Sequence, residues 1–248
     1  MKENTAVFEA VGLTKRYRTK TALENVTLTL ERGHIYGLIG ANGAGKTTLM
    51  RIMLGLDYPT NGRIALFGQT GRGALARQRG RIGALIERPA ALDNMTAKQN
   101  LRLERMLLRG GEKSDLDALL QLVHLGPEAV GHAPVRGFSL GMRQRCGLAA
   151  ALLGEPEMLV LDEPGTGLDP EGMRALSALL AGLNREKGTT MLISSHILHA
   201  LYEIATDFIV LDHGKIIKQM THAQLEKELK NAASIEDYYL DLIGKGTR

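Results

Sequence analysis

The spacing of apolar residues changes along the chain, and each spacing predicts a different kind of element. Up to about residue 39, β-prone and polar residues alternate in short pieces, which predicts antiparallel strands that lead into the buried strand IYGLIG. From Thr96 to Leu153, leucines recur at three- and four-residue spacing, as in NLRLERMLLRG, which predicts helices. The later runs EMLVLDEP and TTMLISSH are again short apolar strands, with a helical pattern between them. Strands that alternate with helices indicate an α/β fold with a parallel-sheet core, interrupted here by a helical insertion.

These patterns predict a single domain that spans residues 1–248. Its core takes residues 1–87 and 158–220, its helical insertion residues 88–157, and its helical tail residues 221–248. We expect an apolar stripe of the tail to pack on the protein's own core, with contact to a second copy of the chain as the alternative. The stripe consists of Ile235, Tyr238, Tyr239 and Leu242.

Composition and charge set limits on the partners and the compartment. The 248 residues are 44% hydrophobic, which is ample for a buried core, and the net charge is +4 with a pI near 9.2. The basic excess is scattered, so it is only a weak indication of an anionic partner such as a nucleotide, a nucleic acid or an anionic membrane face. Cys146 is the one cysteine, which excludes an intrachain disulfide and favours the reducing cytosol. The sequence has neither a signal-peptide pattern nor an apolar run of membrane-spanning length, so we expect any membrane contact to come from a partner protein.

The strongest chemical pattern is GANGAGKTT, which begins at Gly40 and ends at Thr48. It matches GxxxxGK[ST] and stands between an apolar strand and a helical pattern, as a phosphate-binding loop requires; this placement argues against the alternative, a plain glycine-rich turn. In such a loop, backbone N–H groups and the helix N-terminus bind phosphate oxygens, Lys46 reaches the β- and γ-phosphates, and Thr47 offers its hydroxyl to Mg²⁺. The predicted nucleotide-binding residues of the loop are Gly40, Asn42, Gly43, Ala44, Gly45, Lys46, Thr47 and Thr48.

The run MLVLDEP, from Met158 to Pro164, ends a predicted buried strand with two consecutive acids. At the carboxyl edge of a parallel sheet, Asp162 would face the Mg²⁺ and Glu163 the attacking water of a nucleotide hydrolase. The alternative is that the two acids only mark the turn that Pro164 and Gly165 continue. The presence of a phosphate loop favours the catalytic interpretation, and the two patterns together predict a P-loop NTPase.

Three further segments narrow the class of P-loop NTPase. They are FSLGMRQR at residues 138–145, GTGLDP at residues 165–170 and ISSHIL at residues 193–198. With these segments the chain resembles the ATP-binding subunits of ABC transporters over nearly its whole length. The resemblance implies ATP and Mg²⁺ as cofactors, hydrolysis in a head-to-tail dimer with ATP sandwiched between two copies, and integral-membrane permease subunits as partners. It also implies a cytoplasmic location, peripheral on the inner face of the cell membrane through the permease.

The resemblance assigns roles to four residues in these segments. Ser139 and Gly141 belong to the signature loop, which covers the nucleotide of the opposite copy. Asp169 lies in the loop that links the two sites, and His196 is the switch histidine that contacts the γ-phosphate. By local chemistry alone, Ser139 could equally be an ordinary helix N-cap and His196 a structural histidine.

The signature loop departs from the usual LSGGQ pattern of the family. Leu140 replaces the first of its two adjacent glycines, and Met142 replaces the glutamine. The main phosphate-contacting positions, Ser139 and Gly141, are retained, so we expect the loop to function.

Tyr17 falls where the family stacks an aromatic ring on adenine. Base–aromatic stacking tolerates different bases, so the ring is expected to add affinity with modest selectivity. The alternative is a half-buried strand tyrosine without contact to a ligand.

Glu87 falls where ABC ATPases usually have a glutamine, in the loop that contacts both Mg²⁺ and the membrane subunit. It follows the run Ile82–Ile86, a predicted short buried strand that stops before Pro89. We expect Glu87 to join the catalytic group and, with Thr47 and Asp162, the metal site. The alternative is a solvated strand end, which is the usual situation of an exposed acid.

Glu87, the FSLGM variant and the tail SIEDYYLDLI together resemble the bacitracin-resistance and lantibiotic self-protection transporters. This narrower resemblance implies export of, or protection against, a cell-envelope-active peptide, through a separate permease that contacts the peptide. A soluble ABC ATPase that acts on ribosomes or DNA is the alternative. Such proteins usually have two cassettes or a long coiled-coil insertion, neither of which fits into 248 residues, so no nucleic-acid partner is expected. A regulator that binds nucleotide without hydrolysing it is opposed by four residues of the site: Lys46, Asp162, Glu163 and His196.

Overall fold

The computed structural model describes residues 6–87, 91–108, 115–126, 130, 132–230 and 234–246. Its strands are β1 (Ala6–Tyr17), β2 (Lys20–Glu31), β3 (Ile35–Ile39), β4 (Asn61–Leu66), β5 (Ile82–Leu85), β6 (Met158–Asp162), β7 (Thr190–Ser194), β8 (Asp207–Asp212) and β9 (Lys215–Thr221). They form a smaller antiparallel sheet of order β2-β1-β4 and a larger sheet of order β5-β6-β7-β3-β8-β9.

The helices pack around these two sheets. They are α1 (Lys46–Met53), α2 (Arg72–Gln78), α3 (Ala97–Leu107), α4 (Leu116–Leu122), α5 (Leu140–Ala151), α6 (Pro170–Lys187), α7 (Leu198–Ile204), α8 (His222–Leu229) and α9 (Ile235–Gly246). Within the described residues, none of these helices has both the length and the apolar character that a membrane crossing requires.

The larger sheet separates two hydrophobic clusters because side chains alternate between the faces of a strand. In β3, Ile35 and Ile39 pack into one cluster, while Tyr36 and Leu38 pack into the other. The antiparallel sheet and α1 contribute to the second cluster, and helices α3 to α7 contribute to the first. β3, β6 and β7 are buried along their whole length, as expected for parallel strands with both faces covered.

The predicted parallel core and antiparallel N-terminal region are both confirmed. β5, β6, β7, β3 and β8 run parallel, and β9 adds an antiparallel strand at one edge. The carboxyl ends of β3, β6 and β7 therefore open at one edge of the sheet. In open α/β sheets, ligands bind at this edge.

The strand before Glu87 forms at the predicted place but is less buried than predicted. In β5, Leu85 is buried, Ile82 is half-buried and Ala84 is exposed. β5 is an edge strand that pairs with β6, so one of its sides lacks a neighbouring strand. Pro89, the predicted stop signal, lies outside the described residues.

The helical insertion contains α3, α4 and α5 in its described part. α3 begins with a capping box, in which Thr96 and Gln99 exchange side-chain to backbone hydrogen bonds. α5 packs closely on the sheet: a Cβ on Gly83 of β5 would lie 1.8 Å from the carbonyl oxygen of Ala151. Glycine at this position therefore allows the insertion to approach the core.

The tail packs on the protein's own core, as predicted for its apolar stripe. Ile235 is buried in the first hydrophobic cluster, and the other three stripe residues pack against that cluster. Lys218 of β9 donates hydrogen bonds to Glu228 of α8 at 2.7 Å and to the Tyr238 hydroxyl of α9 at 3.1 Å. These contacts attach both tail helices to the edge of the larger sheet.

Candidate functional site

The phosphate loop connects β3 to α1 and requires glycine at several positions. Gly43 and Gly45 have φ angles of 82° and 113°, which disfavour side chains. A Cβ on Gly45 would lie 2.6 Å from the carbonyl oxygen of Ala22, and one on Gly40 would lie 2.5 Å from that of Leu211. Larger residues would push the loop away from β2 and β8.

Lys46 is buried at the start of α1, and its ammonium group lies within the phosphate loop. Nζ donates hydrogen bonds to the carbonyl oxygens of Gly40 at 2.6 Å and Ala41 at 3.3 Å. Ala44 closes the loop on itself, since its N–H donates to the Ala41 carbonyl at 3.1 Å. A buried ammonium group requires such partners, and here they hold the positive charge of Lys46 within the loop.

Asp162, at the end of β6, holds together a hydrogen-bonded group at the edge of the sheet. Its Oδ2 accepts from Thr47 Oγ1 at 2.7 Å, and its Oδ1 accepts from Ser194 Oγ at 2.5 Å. Asp162 and Ser194 are register partners on β6 and β7, and both are buried. The two hydrogen bonds fix the orientation of the carboxylate beside the first turn of α1.

Glu163 is in direct contact with His196. Its Oε2 accepts a hydrogen bond from the His196 N–H at 3.1 Å and lies 2.6 Å from Nδ1 of the same residue. Glu163 has a φ of 51°, which is uncommon for a residue with a side chain. Its own N–H donates to Ser194 Oγ at 3.0 Å, which holds this backbone against the end of β7. The structure thus brings together the predicted base and the predicted switch histidine.

Two residues of this group were missed by the sequence analysis. Ser194 binds both acids, and Gln144 of α5 donates from Nε2 to the carbonyl oxygen of Glu163 at 3.0 Å. Gln144 is only 4% exposed, and it connects the helix of the signature loop to the backbone of the predicted base. In the sequence, both residues are polar and stand beside apolar runs. Such positions are often buried, and a buried polar side chain needs a hydrogen-bond partner, which would have pointed to a contact.

The phosphate loop and the two acids border an open cavity of about 280 Å³, and His196 lies outside its lining. Tyr17 and Lys20, from the hairpin of β1 and β2, form one end of the lining, and Asp162 and Glu163 complete it. An aromatic ring, a cationic loop and two acids around one space suit a ligand with a flat base and a chain of phosphates. The predicted nucleotide-binding residues that border the cavity are Tyr17, Asn42, Gly43, Gly45, Lys46, Thr47 and Thr48.

Ser139 and Gly141, predicted to cover the nucleotide of the opposite copy, and Asp169, predicted to lie in the loop that links the two sites, are outside the cavity lining of the described residues. Ser139 caps α5 by accepting from the Met142 N–H at 3.2 Å, so the local N-cap interpretation holds. Asp169 caps α6 by accepting from the Gly172 N–H at 2.7 Å. A Cβ on Gly141 would lie 2.6 Å from the carbonyl oxygen of Gly167, so the signature helix packs closely on the loop before α6.

Glu87 also lies outside the cavity lining. Its Oε1 accepts a hydrogen bond from Arg51 Nη1 at 2.7 Å, and its side chain is 56% exposed. Arg51 stands one helical turn after Thr47 on α1, so Glu87 binds a residue on the same face of that helix as Thr47. Within the described residues, no group of three or more His, Cys, Asp and Glu side chains is arranged to hold a metal ion.

The profile of the ABC transporter family matches residues 23–166, which include the phosphate loop, the signature loop and both acids. The chain belongs to the ABC transporter family. It is therefore an ABC-type ATPase, as the sequence motifs predicted.

Curated relatives of this ABC ATPase carry transport functions in their names. The bacitracin transport ATP-binding protein BcrA of Enterococcus faecalis is 39% identical over 221 residues, which cover 89% of this chain and 71% of BcrA. The lantibiotic transport ATP-binding protein SrtF of Streptococcus pyogenes is 40% identical over 229 residues, which cover 92% of this chain and 93% of SrtF. The predicted likeness to these two groups is confirmed, and the alternative of an ATPase that acts on ribosomes or DNA is not favoured.

Solved structures share the fold of this ABC ATPase. An ATP-binding subunit of an ABC transporter has a TM-score of 0.83 and 29% identity, with 96% of this chain and 99% of that chain covered. A dimeric, post-hydrolysis structure of the ATP-binding cassette MJ0796 with ADP and Pi has a TM-score of 0.78 and 24% identity, with 87% and 98% covered.

Proposed function

We propose that this chain binds ATP and Mg²⁺ beside the phosphate loop and hydrolyses the ATP. It thereby drives a separate membrane permease that exports, or protects against, a cell-envelope-active peptide. The observation that carries the proposal is the contact of Glu163 with His196 beside the Thr47 and Asp162 pair. The proposed base, phosphate sensor and metal ligands therefore share one edge of the sheet, next to the proposed phosphate-binding loop.

The oxygen atoms of Thr47 and Asp162 fit Mg²⁺. Magnesium is usually held by one or two carboxylates together with substrate phosphates and waters, rather than by a cage of protein ligands alone. Thr47 Oγ1 and Asp162 Oδ2 lie 2.7 Å apart and belong to rigid elements, α1 and β6. When bound, the ion would offset the charge that develops on the phosphate oxygens. Ser194 would keep the Asp162 carboxylate in place through its hydrogen bond to Oδ1.

Glu163 is the group proposed to activate water. A carboxylate at the mouth of the cavity can accept a proton from a water molecule that attacks the γ-phosphate. His196 holds Oε2 of Glu163 through its backbone N–H, which orients the carboxylate. The exposed imidazole of His196 is proposed to contact the γ-phosphate, and Lys46 to neutralise it from the phosphate loop.

A second copy of the chain is proposed to complete each site. Ser139 is exposed at the N-terminus of α5, where N–H groups and the helix dipole favour an anion. Ser139, Gly141 and Asp169 lie outside the chain's own cavity lining, which leaves this surface for the nucleotide of a partner copy. The dimeric cassette with the same fold supports such an arrangement.

The names of the relatives support the parts of the proposal that concern the permease and the peptide. BcrA and SrtF are named for bacitracin and lantibiotic transport, and both align with this chain over most of its length. We propose that the peptide contacts the permease and that this chain stays in the cytoplasm, on the inner face of the membrane.

The proposal is tested by identifying what the chain binds in cells. A tagged chain, isolated after gentle solubilisation, should co-purify with an integral-membrane protein, and loss of the chain should sensitise cells to a bacitracin- or lantibiotic-type peptide. The purified chain should hydrolyse ATP only with Mg²⁺. Co-purification with ribosomes, and unchanged peptide sensitivity, would favour the soluble alternative.

A further inference from the structure

We propose that Asp57, together with Lys15, positions the Tyr17 ring for stacking on the base of the nucleotide. The inference rests on the proposed function, in which Tyr17 contacts that base. Asp57 lies in the loop between α1 and β4, outside the motifs that predict the site. It is a positioning residue, because it would act on the nucleotide only through the tyrosine.

The contacts among these three side chains form a closed network. The Tyr17 hydroxyl donates a hydrogen bond to Asp57 Oδ2. Lys15 Nζ donates to Asp57 Oδ1 at 2.5 Å and to the carbonyl oxygen of Tyr58 at 2.8 Å. The same ammonium group lies 4.6 Å from the centroid of the Tyr17 ring. The ring is therefore held at its hydroxyl and covered on one face by a cation, so a base would stack on the other face.

Lys15 and Asp57 are more buried than the Tyr17 ring that they contact. The side chains of Lys15 and Asp57 are 13% and 18% exposed, whereas Tyr17 is 42% exposed and borders the cavity. Burial opposes ionisation of Asp57, but hydrogen bonds from Lys15 and Tyr17 outweigh it and lower the pKa of this carboxyl. The carboxylate therefore stays charged and keeps accepting both hydrogen bonds at neutral pH.

Asp57 also links the ring to the phosphate loop through α1. The N–H groups of Leu56 and Asp57 donate to the carbonyl oxygen of Arg51, at 2.9 Å and 3.3 Å, at the C-terminal end of this helix. The N-terminal end of the same helix begins with Lys46. One short helix, roughly 12 Å long at 1.5 Å per residue, thus connects the loop that carries Asp57 to the phosphate loop, where the Thr48 side chain also interacts with the Tyr17 hydroxyl. A ring held in advance at the right distance lowers the entropy cost of nucleotide binding.

The experiment compares two ligands, ATP and inorganic tripolyphosphate, each with Mg²⁺, by calorimetry on the whole chain. Tripolyphosphate has the phosphates but no base. Asp57→Ala should weaken ATP binding by about 5- to 10-fold, because part of the base stacking is lost. It should leave tripolyphosphate binding unchanged. Tyr17→Phe, which keeps the ring and removes the hydroxyl that Asp57 binds, should show the same selective loss. Asp117→Ala is the control for loss of a lysine–aspartate ion pair away from the cavity, since Asp117 pairs with Lys98 at 2.6 Å on a more exposed surface.

A sharper test is whether the effect of Asp57→Ala on ATP binding requires Tyr17. In a Tyr17→Ala background, Asp57→Ala should have no further effect on the Kd of ATP, because there is no ring left to position. Equal losses for ATP and tripolyphosphate would overturn the inference, since they would show a general disturbance of α1. ATP binding by Asp57→Ala at the wild-type affinity would also overturn it. Failure of the wild-type chain to bind ATP would instead overturn the proposed function, and the inference with it.

Discussion

Oε2 of Glu163 accepts a hydrogen bond from the backbone N–H of His196 and lies 2.6 Å from Nδ1 of that residue. Glu163→Gln keeps the shape of the side chain and an oxygen for the backbone N–H, but an amide does not take up a proton from water. We expect this variant to bind ATP normally and to lose hydrolysis by roughly 10²- to 10⁴-fold, the usual contribution of a general base. Steady-state rates and ATP affinities of the two proteins measure this directly.

The same variant should accumulate as an ATP-bound dimer. The phosphate loop borders the cavity, whereas the exposed signature loop of the same chain lies outside it, so trapped ATP should hold two copies together. Size-exclusion chromatography with and without ATP is the measurement. A monomer peak that does not shift, in a sample shown to bind ATP, would count against the sandwich arrangement.

Ser194 offers a test of how the metal site is oriented. Ser194→Ala removes the hydrogen bond to Asp162 Oδ1, together with the side-chain acceptor of the Glu163 N–H, while keeping the buried strand. Loss of such an outer contact typically weakens metal binding by about 10- to 100-fold, so we expect at least a several-fold rise in the Mg²⁺ concentration for half-maximal ATPase activity. Ser195→Ala is the control, since Ser195 Oγ accepts from the Ile197 N–H at 3.0 Å. Equal curves for both variants would show that Ser194 has no part in metal binding.

The sequence was sufficient for the parts of the site that local patterns encode. The phosphate loop and the two acids follow apolar strands directly, and parallel strands bring such ends together. Ser194, Gln144 and Asp57 could not be found in this way, because their contacts join elements far apart in the chain. The burial of β5 was overestimated for a similar reason, since an apolar run does not show whether its strand lies in the middle or at the edge of a sheet.

The location of the chain should depend on its permease. Under the proposed function, the permease attaches this chain to the membrane. The chain expressed alone should appear in the soluble fraction, and it should move to the membrane fraction when the permease gene is also expressed. Equal membrane association in both cases would refute docking on a partner.

Because of Glu157, we expect the free energy of unfolding to fall at acid pH. Hydrogen bonds from Arg81 are the main reason why the pKa of Glu157 falls from 4.5 to about 2. Partial burial opposes this shift, and a hydrogen bond from Arg32 adds to it. A lowered folded-state pKa means that the stabilisation is complete above the unfolded value of 4.5 and is lost as the pH falls through about 2. The carboxylate is 39% exposed and screened by solvent, so Glu157→Gln should lower the free energy of unfolding at pH 7 by only about 1 kcal/mol.

Urea unfolding of wild type and Glu157→Gln across this pH range tests the prediction. The difference between the two proteins should shrink as the pH falls from 4.5 toward 2. A difference that stays constant with pH would assign the effect to packing of the side chain rather than to its charge.

Glu87 has two competing partners, Arg51 and the proposed Mg²⁺. Glu87→Gln removes a negative charge from this region and keeps the side-chain shape. Two unit charges about 4 Å apart interact by roughly 1 kcal/mol even at the dielectric constant of water, so the Mg²⁺ concentration for half-maximal ATPase activity should rise several-fold. ATP affinity should change less, because the phosphate loop and Tyr17 supply most of it. Protection against the peptide should fall further than hydrolysis does, if the same loop signals to the permease.

Arg51→Met separates the two interpretations of Glu87. It breaks the ion pair but leaves the carboxylate in place. The pair, at 2.7 Å, contributes little to stability because each side chain is more than one-third exposed. If Glu87 binds the metal, its carboxylate is then free for Mg²⁺, and the two variants should shift the Mg²⁺ titration in opposite directions. If Glu87 serves only its ion pair, both variants should have the same small effect, and peptide protection should remain at the wild-type level. Glu87 would then be the solvated strand end that an exposed acid usually is.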